Sequence, residues 1–102
     1  MPVYVDAVRT PYRGMIMCHM WADTEDELHA MAGAIGMERR WHQKPPKASW
    51  SHYDVSLTMK RRAIERGAIL MDRYGALEHV ARTKGDAALL ERIAARRAKS
   101  GA

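Results

Sequence analysis

The strongest constraint on this chain lies near residue 23, where one periodicity stops and another begins. From Met15 to Ala22 an extended chain places Ile16, Cys18, Met20 and Ala22 on one face and Met17, His19 and Trp21 on the other. Thr24 followed three residues later by Glu27 is a capping box, and Glu25, Asp26 and Glu27 put acids in a first turn, where the helix dipole favours them. Leu28, Met31, Ala32 and Ile35 then recur at helical spacing, and Gly36 can end the helix in the left-handed region. A strand that runs into a capped, one-sided helix needs partner strands, and the helix needs a sheet face to lie on.

The remaining segments supply both. Val3 to Val8 alternates, with Val3, Val5 and Ala7 on one side, and Thr10 to Gly14 reads as a turn. The two strands predict an antiparallel hairpin whose second faces bring Tyr4 and Asp6 towards His19 and Trp21. Met37 to Ser51 is irregular, because Pro45-Pro46 excludes both helix and central strand, and long ordered loops are often functional. His52 to Val55 is extended and leads into a helix that ends near Arg66. Asp54 or Ser56 can cap it, and Leu57, Met59, Ala63 and Ile64 are its apolar positions.

Ala68 to Asp72 reads as a short buried strand and residues 75–84 as a helix. Gly85 breaks that helix, and Asp86 caps a last one with Leu89, Leu90, Ile93 and Ala94 on one face. This order predicts one α+β domain over residues 1–102, with a sheet of three to four short strands covered by about four helices. A doubly wound fold is not expected.

Charge enters where partners are concerned. The net charge of +5 is uneven: residues 1–51 balance six Lys/Arg against six Asp/Glu, and residues 52–102 carry eleven against six. A basic half suggests an anionic small molecule or nucleic acid as partner, although solvated Arg- and Lys-rich helix faces are also common. The charge-free stretch Gly14 to Ala22 is far too short to cross a bilayer, and no secretory signal opens the chain. No membrane association is expected, and a cytoplasmic setting fits. Cys18, the only cysteine, falls on the core face of its strand and is expected to be buried rather than nucleophilic.

No P-loop, dinucleotide fingerprint, nucleophile elbow, HExxH or CxxC occurs. The candidates for chemistry are His19, Asp23, His52, Tyr53 and Asp54, with Lys60, Arg61 and Arg62 as sources of positive charge. His52 and Asp54 point the same way in an extended segment and can act jointly, or Asp54 caps the following helix while His52 packs beside Trp50. His19 sits among apolar neighbours and needs a partner, for which Asp6 across the hairpin is the natural choice. Asp23 precedes the Thr24 cap or serves as a site carboxylate. His19, Asp23, His52 and Asp54 are the right ligand types for zinc, but their spacing is not a metal signature, so neither metal nor cofactor is assigned. Trp41, in the loop that interleaves cations with aromatics, is expected to be buried, and Trp50 is left open.

The run Met17 to Thr24, continued by Asp26 to Ala32, resembles a known family, and so do Lys47-Ala48-Ser49, His52-Tyr53-Asp54 and Gly67-Ala68. That family is the domain of unknown function numbered four thousand and thirty-one. The resemblance spans residues 2–74, leaving 75–99 as a C-terminal helical extension. It implies a phage, prophage or bacterial setting, hence the cytoplasm of a bacterium or infected host cell, and it brings no activity with it.

Two functions remain in competition. In the first, the chain binds a phosphate-bearing ligand, with His19, His52, Tyr53 and Asp54 lining the pocket and Lys60, Arg61 or Arg62 supplying charge. In the second it is a small hydrolase or nuclease. There His19 or His52 acts as general base, and Asp23 or Asp54 orients it or holds a metal. A third possibility is an interaction protein that docks through the Leu89, Leu90 and Ile93 face.

Overall fold

Met15–Ala22 is the longest strand of a mixed five-stranded sheet, here β3, and the other elements are placed by it. The computed structural model describes residues 2–99. Before β3 come β1 (Val3–Asp6) and β2 (Thr10–Tyr12), and after it α1 (Glu25–Ala34). A long loop with a 3-10 turn at Arg39–Trp41 leads to β4 (Tyr53–Ser56), α2 (Leu57–Glu65) and β5 (Ile69–Met71). The described chain ends with α3 (Gly75–Lys84) and α4 (Ala87–Lys99). This is an α+β fold, and among the described residues no helix is long and apolar enough to cross a membrane.

Register fixes the sheet order. Met17 pairs with both Thr10 and Ser56, and Met20 with both Val5 and Tyr53. A strand has two edges, so β4 takes one edge of β3 while β1 and β2 share the other. β5 lies parallel to β1 on its far side, with Tyr4 opposite Ile69. β4 and β5 therefore both run parallel to β1, and α2 is the crossover between them.

One face of this sheet makes the core. Val3, Val5, Cys18, Met20, Ala22, Tyr53 and Val55 meet Leu28, Ala32 and Ile35 of α1 and Ala63 of α2. Thr24 caps α1, its Oγ1 accepting from the Glu27 N–H at 3.2 Å and donating to the Glu27 carboxylate at 2.7 Å. Gly36, at φ 91°, closes that helix, with Met37 N–H donating to Ala32 O at 2.8 Å and Gly36 N–H to Gly33 O at 3.2 Å.

The second face carries Tyr4, Asp6, His19, Trp21 and Asp54. The α3–α4 hairpin covers only its Trp21 end, and Ile93 is buried there while Leu89 and Leu90 are half-buried. The other end is left open, and the polar residues collect there.

The structure corrects several expectations. Thr10–Tyr12 is a strand rather than part of a turn, which raises the strand count to five. The turn is only Arg13-Gly14, both at positive φ, as a two-residue hairpin requires, and Pro11 is tolerated because β2 is an edge strand. β1 ends at Asp6, so Ala7 is exposed instead of sharing the core face of Val3 and Val5. The segment read as a buried strand is the outer strand β5, where Ile69 is 47% and Leu70 55% exposed. An apolar run cannot by itself distinguish a central strand from an edge. Leu57 and Ile64 point away from the core. Trp41, expected to be buried, is 41% exposed, because the 3-10 turn carries it outwards.

Candidate functional site

The site grows from the pairing of β1, β3 and β4. Asp6 stands opposite His19 by extension of the β1–β3 register, and His19 pairs with Asp54 of β4. Because side chains alternate, all three project from the second face, and His52, two residues before Asp54, joins them. The loop before β4 folds back through a bridge between Gln43 and His52, with reciprocal backbone bonds of 2.9 Å. This brings Trp50 onto His52, ring centroids 4.2 Å apart and 20° from parallel. His19 meets His52 edge-on at 5.3 Å.

Hydrogen bonds set the state of both imidazoles. Asp6 is wholly buried, and its carboxylate accepts from His19 twice: from the backbone N–H at 3.0 Å and from Nδ1 at 2.7 Å. His52 Nδ1 lies 3.0 Å from the carbonyl oxygen of Trp50, which can only accept. Each Nδ1 therefore carries a hydrogen, and in the neutral ring each Nε2 keeps a lone pair. His52 Nε2 sits 3.4 Å from Asp54 Oδ1. The hydrogen bond to Asp6 raises the His19 pKa above its usual value, against the desolvation that lowers it. When the His52 ring carries a proton on both nitrogens, its Nε2 donates to Asp54, and this hydrogen bond holds the Asp54 carboxyl below the usual carboxylate range.

His19, His52 and Asp54 each offer a ligand atom within 4.8 Å of the other two. Two imidazoles and a carboxylate with space beside them form a donor set suited to a divalent transition ion with open coordination positions. Asp6 and the Trp50 carbonyl stand where outer partners of ligating histidines normally stand. The cluster opens into a cleft of about 840 Å³ whose wall includes Arg40, Trp41, Gln43 and Trp50.

Other candidates lie elsewhere. Asp23 accepts from the Tyr4 hydroxyl at 3.2 Å, outside the cluster, and burial and this carboxylate together raise the Tyr4 pKa. Tyr53 faces the opposite side of β4, fully buried, its hydroxyl 2.8 Å from His29 Nδ1. Lys60 donates to the Asp6 backbone oxygen at 3.0 Å, and Arg62 donates to Ile35 O at 3.2 Å, at the end of α1. Arg61 is exposed on α2 and does not line the cleft. Ser56, not Asp54, caps α2, its Oγ accepting from Met59 N–H at 3.2 Å. This leaves the Asp54 carboxylate for the cluster.

Sequence reasoning missed a second group, Glu25, His29 and His42, whose ligand atoms also lie within 4.8 Å of one another. Glu25 and His29, four residues apart on a helix, were the available signal, but His42 comes from the loop and only the fold brings it in. Burial lowers the His42 pKa.

No curated protein matches this chain, and no solved structure does. The family described as protein of unknown function (DUF4031) matches residues 3–84, most of the chain's 102 residues. Its span takes in β1 to α3, and so every residue of the His19, His52 and Asp54 cluster. The chain belongs to the DUF4031 family.

Proposed function

We propose that this chain is a small metal-dependent hydrolase of phosphoesters, with His19, His52 and Asp54 as metal ligands. The observation that carries the reading is the shared orientation of the two histidines. Each commits Nδ1 to a fixed acceptor, which leaves Nε2 as the nitrogen free to bind a metal, and both rings offer a ligand atom within 4.8 Å of the Asp54 carboxylate. An ion held by His19, His52 and Asp54 would supply an activated water and charge to polarise the phosphoryl oxygen. Hydrolysis would form one P–O bond to water and break the ester P–O bond, with the proton of the water passing to the leaving alcohol. On the cleft wall Trp41 and Trp50 offer faces for a nucleobase, and Arg40, paired with Glu38 at 2.9 Å, would have to exchange that partner to meet a phosphate.

The alternative, a module that only binds a phosphate-bearing ligand, draws on the same cleft wall. It loses the support of Lys60 and Arg62, which bond the backbone at Asp6 and Ile35.

The test is turnover of bis(p-nitrophenyl) phosphate and of single-stranded DNA by metal-stripped protein, before and after addition of one equivalent of Zn²⁺ or Mn²⁺. The expected result is hydrolysis that needs the metal, stops on chelation and is absent in Asp54→Ala and His52→Ala. Tight nucleotide or DNA binding that ignores chelators, with no turnover, would establish the module instead.

A further inference from the structure

The geometry points to a second transition-metal site, formed by Glu25, His29 and His42, which pins the loop of residues 37–51 to α1. It does not depend on the hydrolase reading, because it shares no ligand with the first cluster and lies on the other side of β4.

Glu25 and His29 sit one turn apart on α1, and His29 Nε2 is 3.3 Å from Glu25 Oε2. His42 follows the 3-10 turn of the loop, and its Nε2 is 3.4 Å from the same oxygen. The two rings meet edge to face with centroids 4.5 Å apart. Three donor atoms thus converge from two segments that the chain separates by a helix and a turn. His29 Nδ1 is held at 2.8 Å by the hydroxyl of buried Tyr53, the outer partner that a ligating histidine needs. His42 Nε2 also lies 2.7 Å from Ser51 Oγ, a contact that can be exchanged for a metal bond. Both imidazoles are less than a seventh exposed, whereas Glu25 is 57% exposed, so an ion can enter from the Glu25 side.

Two imidazoles and one carboxylate suit zinc and its neighbours rather than calcium or magnesium, which want several oxygen ligands. Arg39 and Lys44 border the same hollow, and their charge further disfavours ions held only by electrostatic attraction. The consequence is mechanical. The loop runs from His42 to Trp50, and Trp50 stacks on His52 in the first cluster. Fixing His42 to α1 fixes the start of the segment that builds the wall of the other cleft.

The decisive experiment is titration of metal-stripped full-length protein with Zn²⁺ against a chromophoric chelator, together with the rate of tryptic cleavage after Lys47. The expected result is two equivalents for the native chain and one for His42→Ala and for Glu25→Gln. Zinc should slow the cleavage in the native chain and in Asp54→Ala, and not in Glu25→Gln. Glu25 is exposed, so its substitution decides the matter if His42→Ala fails to fold. Native stoichiometry and native protection in Glu25→Gln would overturn the site. A single equivalent that Glu25→Gln abolishes and Asp54→Ala keeps would uphold it while sinking the metal reading of the first cluster.

Discussion

Asp6 holds His19 by two bonds at once, the carboxylate taking the backbone N–H at 3.0 Å and the ring Nδ1 at 2.7 Å. The first bond belongs where a strand ladder would otherwise continue, just past the last β1–β3 pair, and the second fixes the ring. One side chain thus ends a strand and sets a tautomer.

Replacing Asp6 by Ala leaves two donors without their acceptor beside a buried cavity. The expected cost is on the order of 3 kcal/mol in chemical denaturation. Asp6→Asn keeps the shape and should cost less stability. Its zinc affinity at the first cluster should still fall by roughly 10- to 100-fold, as for other outer partners of ligating histidines. Unchanged zinc affinity in Asp6→Asn would remove Asp6 from the site.

Ser56 and Asp54 separate stability from chemistry. Ser56→Ala loses the α2 cap and should destabilise the fold by about 1 kcal/mol without changing metal stoichiometry. Asp54→Ala leaves the cap in place and should remove one equivalent of bound zinc. Calorimetry and metal titration of the two variants, side by side, distinguish these roles.

Gly75 is needed for space rather than for an unusual backbone. A Cβ there would lie 2.6 Å from Met71 Cβ and 3.4 Å from the Trp21 ring. Met71 Cβ is anchored to its backbone and cannot swing aside. Gly75→Ala should therefore destabilise by about 1–3 kcal/mol, despite the better helix propensity of alanine. A rise in the thermal midpoint would show that α3 can shift away from β5.

Arg97 ties α4 to the start of α3, at 2.8 Å from Asp72 Oδ2 and 2.6 Å from Glu78 Oε2. The hydrogen bond from Arg97 holds the Asp72 carboxyl below its usual range. A depressed carboxylate contributes stability above its unfolded pKa of about 4 and loses it as the pH falls through the lower folded value. The pair is partly exposed, so the contribution is only a few tenths to about 1 kcal/mol. Asp72→Asn should lower stability by that amount at neutral pH and by nothing well below pH 3. A native-minus-variant difference that persists in acid would contradict the ion pair.

Local signals carried most of the fold. The Thr24–Glu27 box, the positive-φ glycines at 36, 67 and 85, and the Asp86 cap, whose Oδ1 accepts from Leu89 N–H at 3.0 Å, act within a few residues and are legible in the chain. Alternation also brought Tyr4 and Asp6 to the face of His19 and Trp21, gave His19 its Asp6 partner, and put Cys18 in the core. The errors came where a pattern is silent about neighbours. Nothing local says that Ile69 and Leu70 lie in an outer strand, that Trp41 is turned outwards, or that Thr10–Tyr12 pairs with β3.

The candidate site divides the same way. The sequence by itself determined that His19 needs a partner and that His52 and Asp54 share a direction, the second from the two-residue period of an extended chain; grouping Tyr53 with them went against that same period, and Tyr53 lies buried on the other side of β4. Only the tertiary structure decided that β4 pairs with β3, which joins His52 and Asp54 to His19 and leaves Asp23, Lys60 and Arg62 outside. It alone brought His42 to Glu25 and His29. The physical reason is that alternation and capping act between residues adjacent along the chain. Strand order and loop path are set by which apolar faces can be buried together, a property of the whole chain.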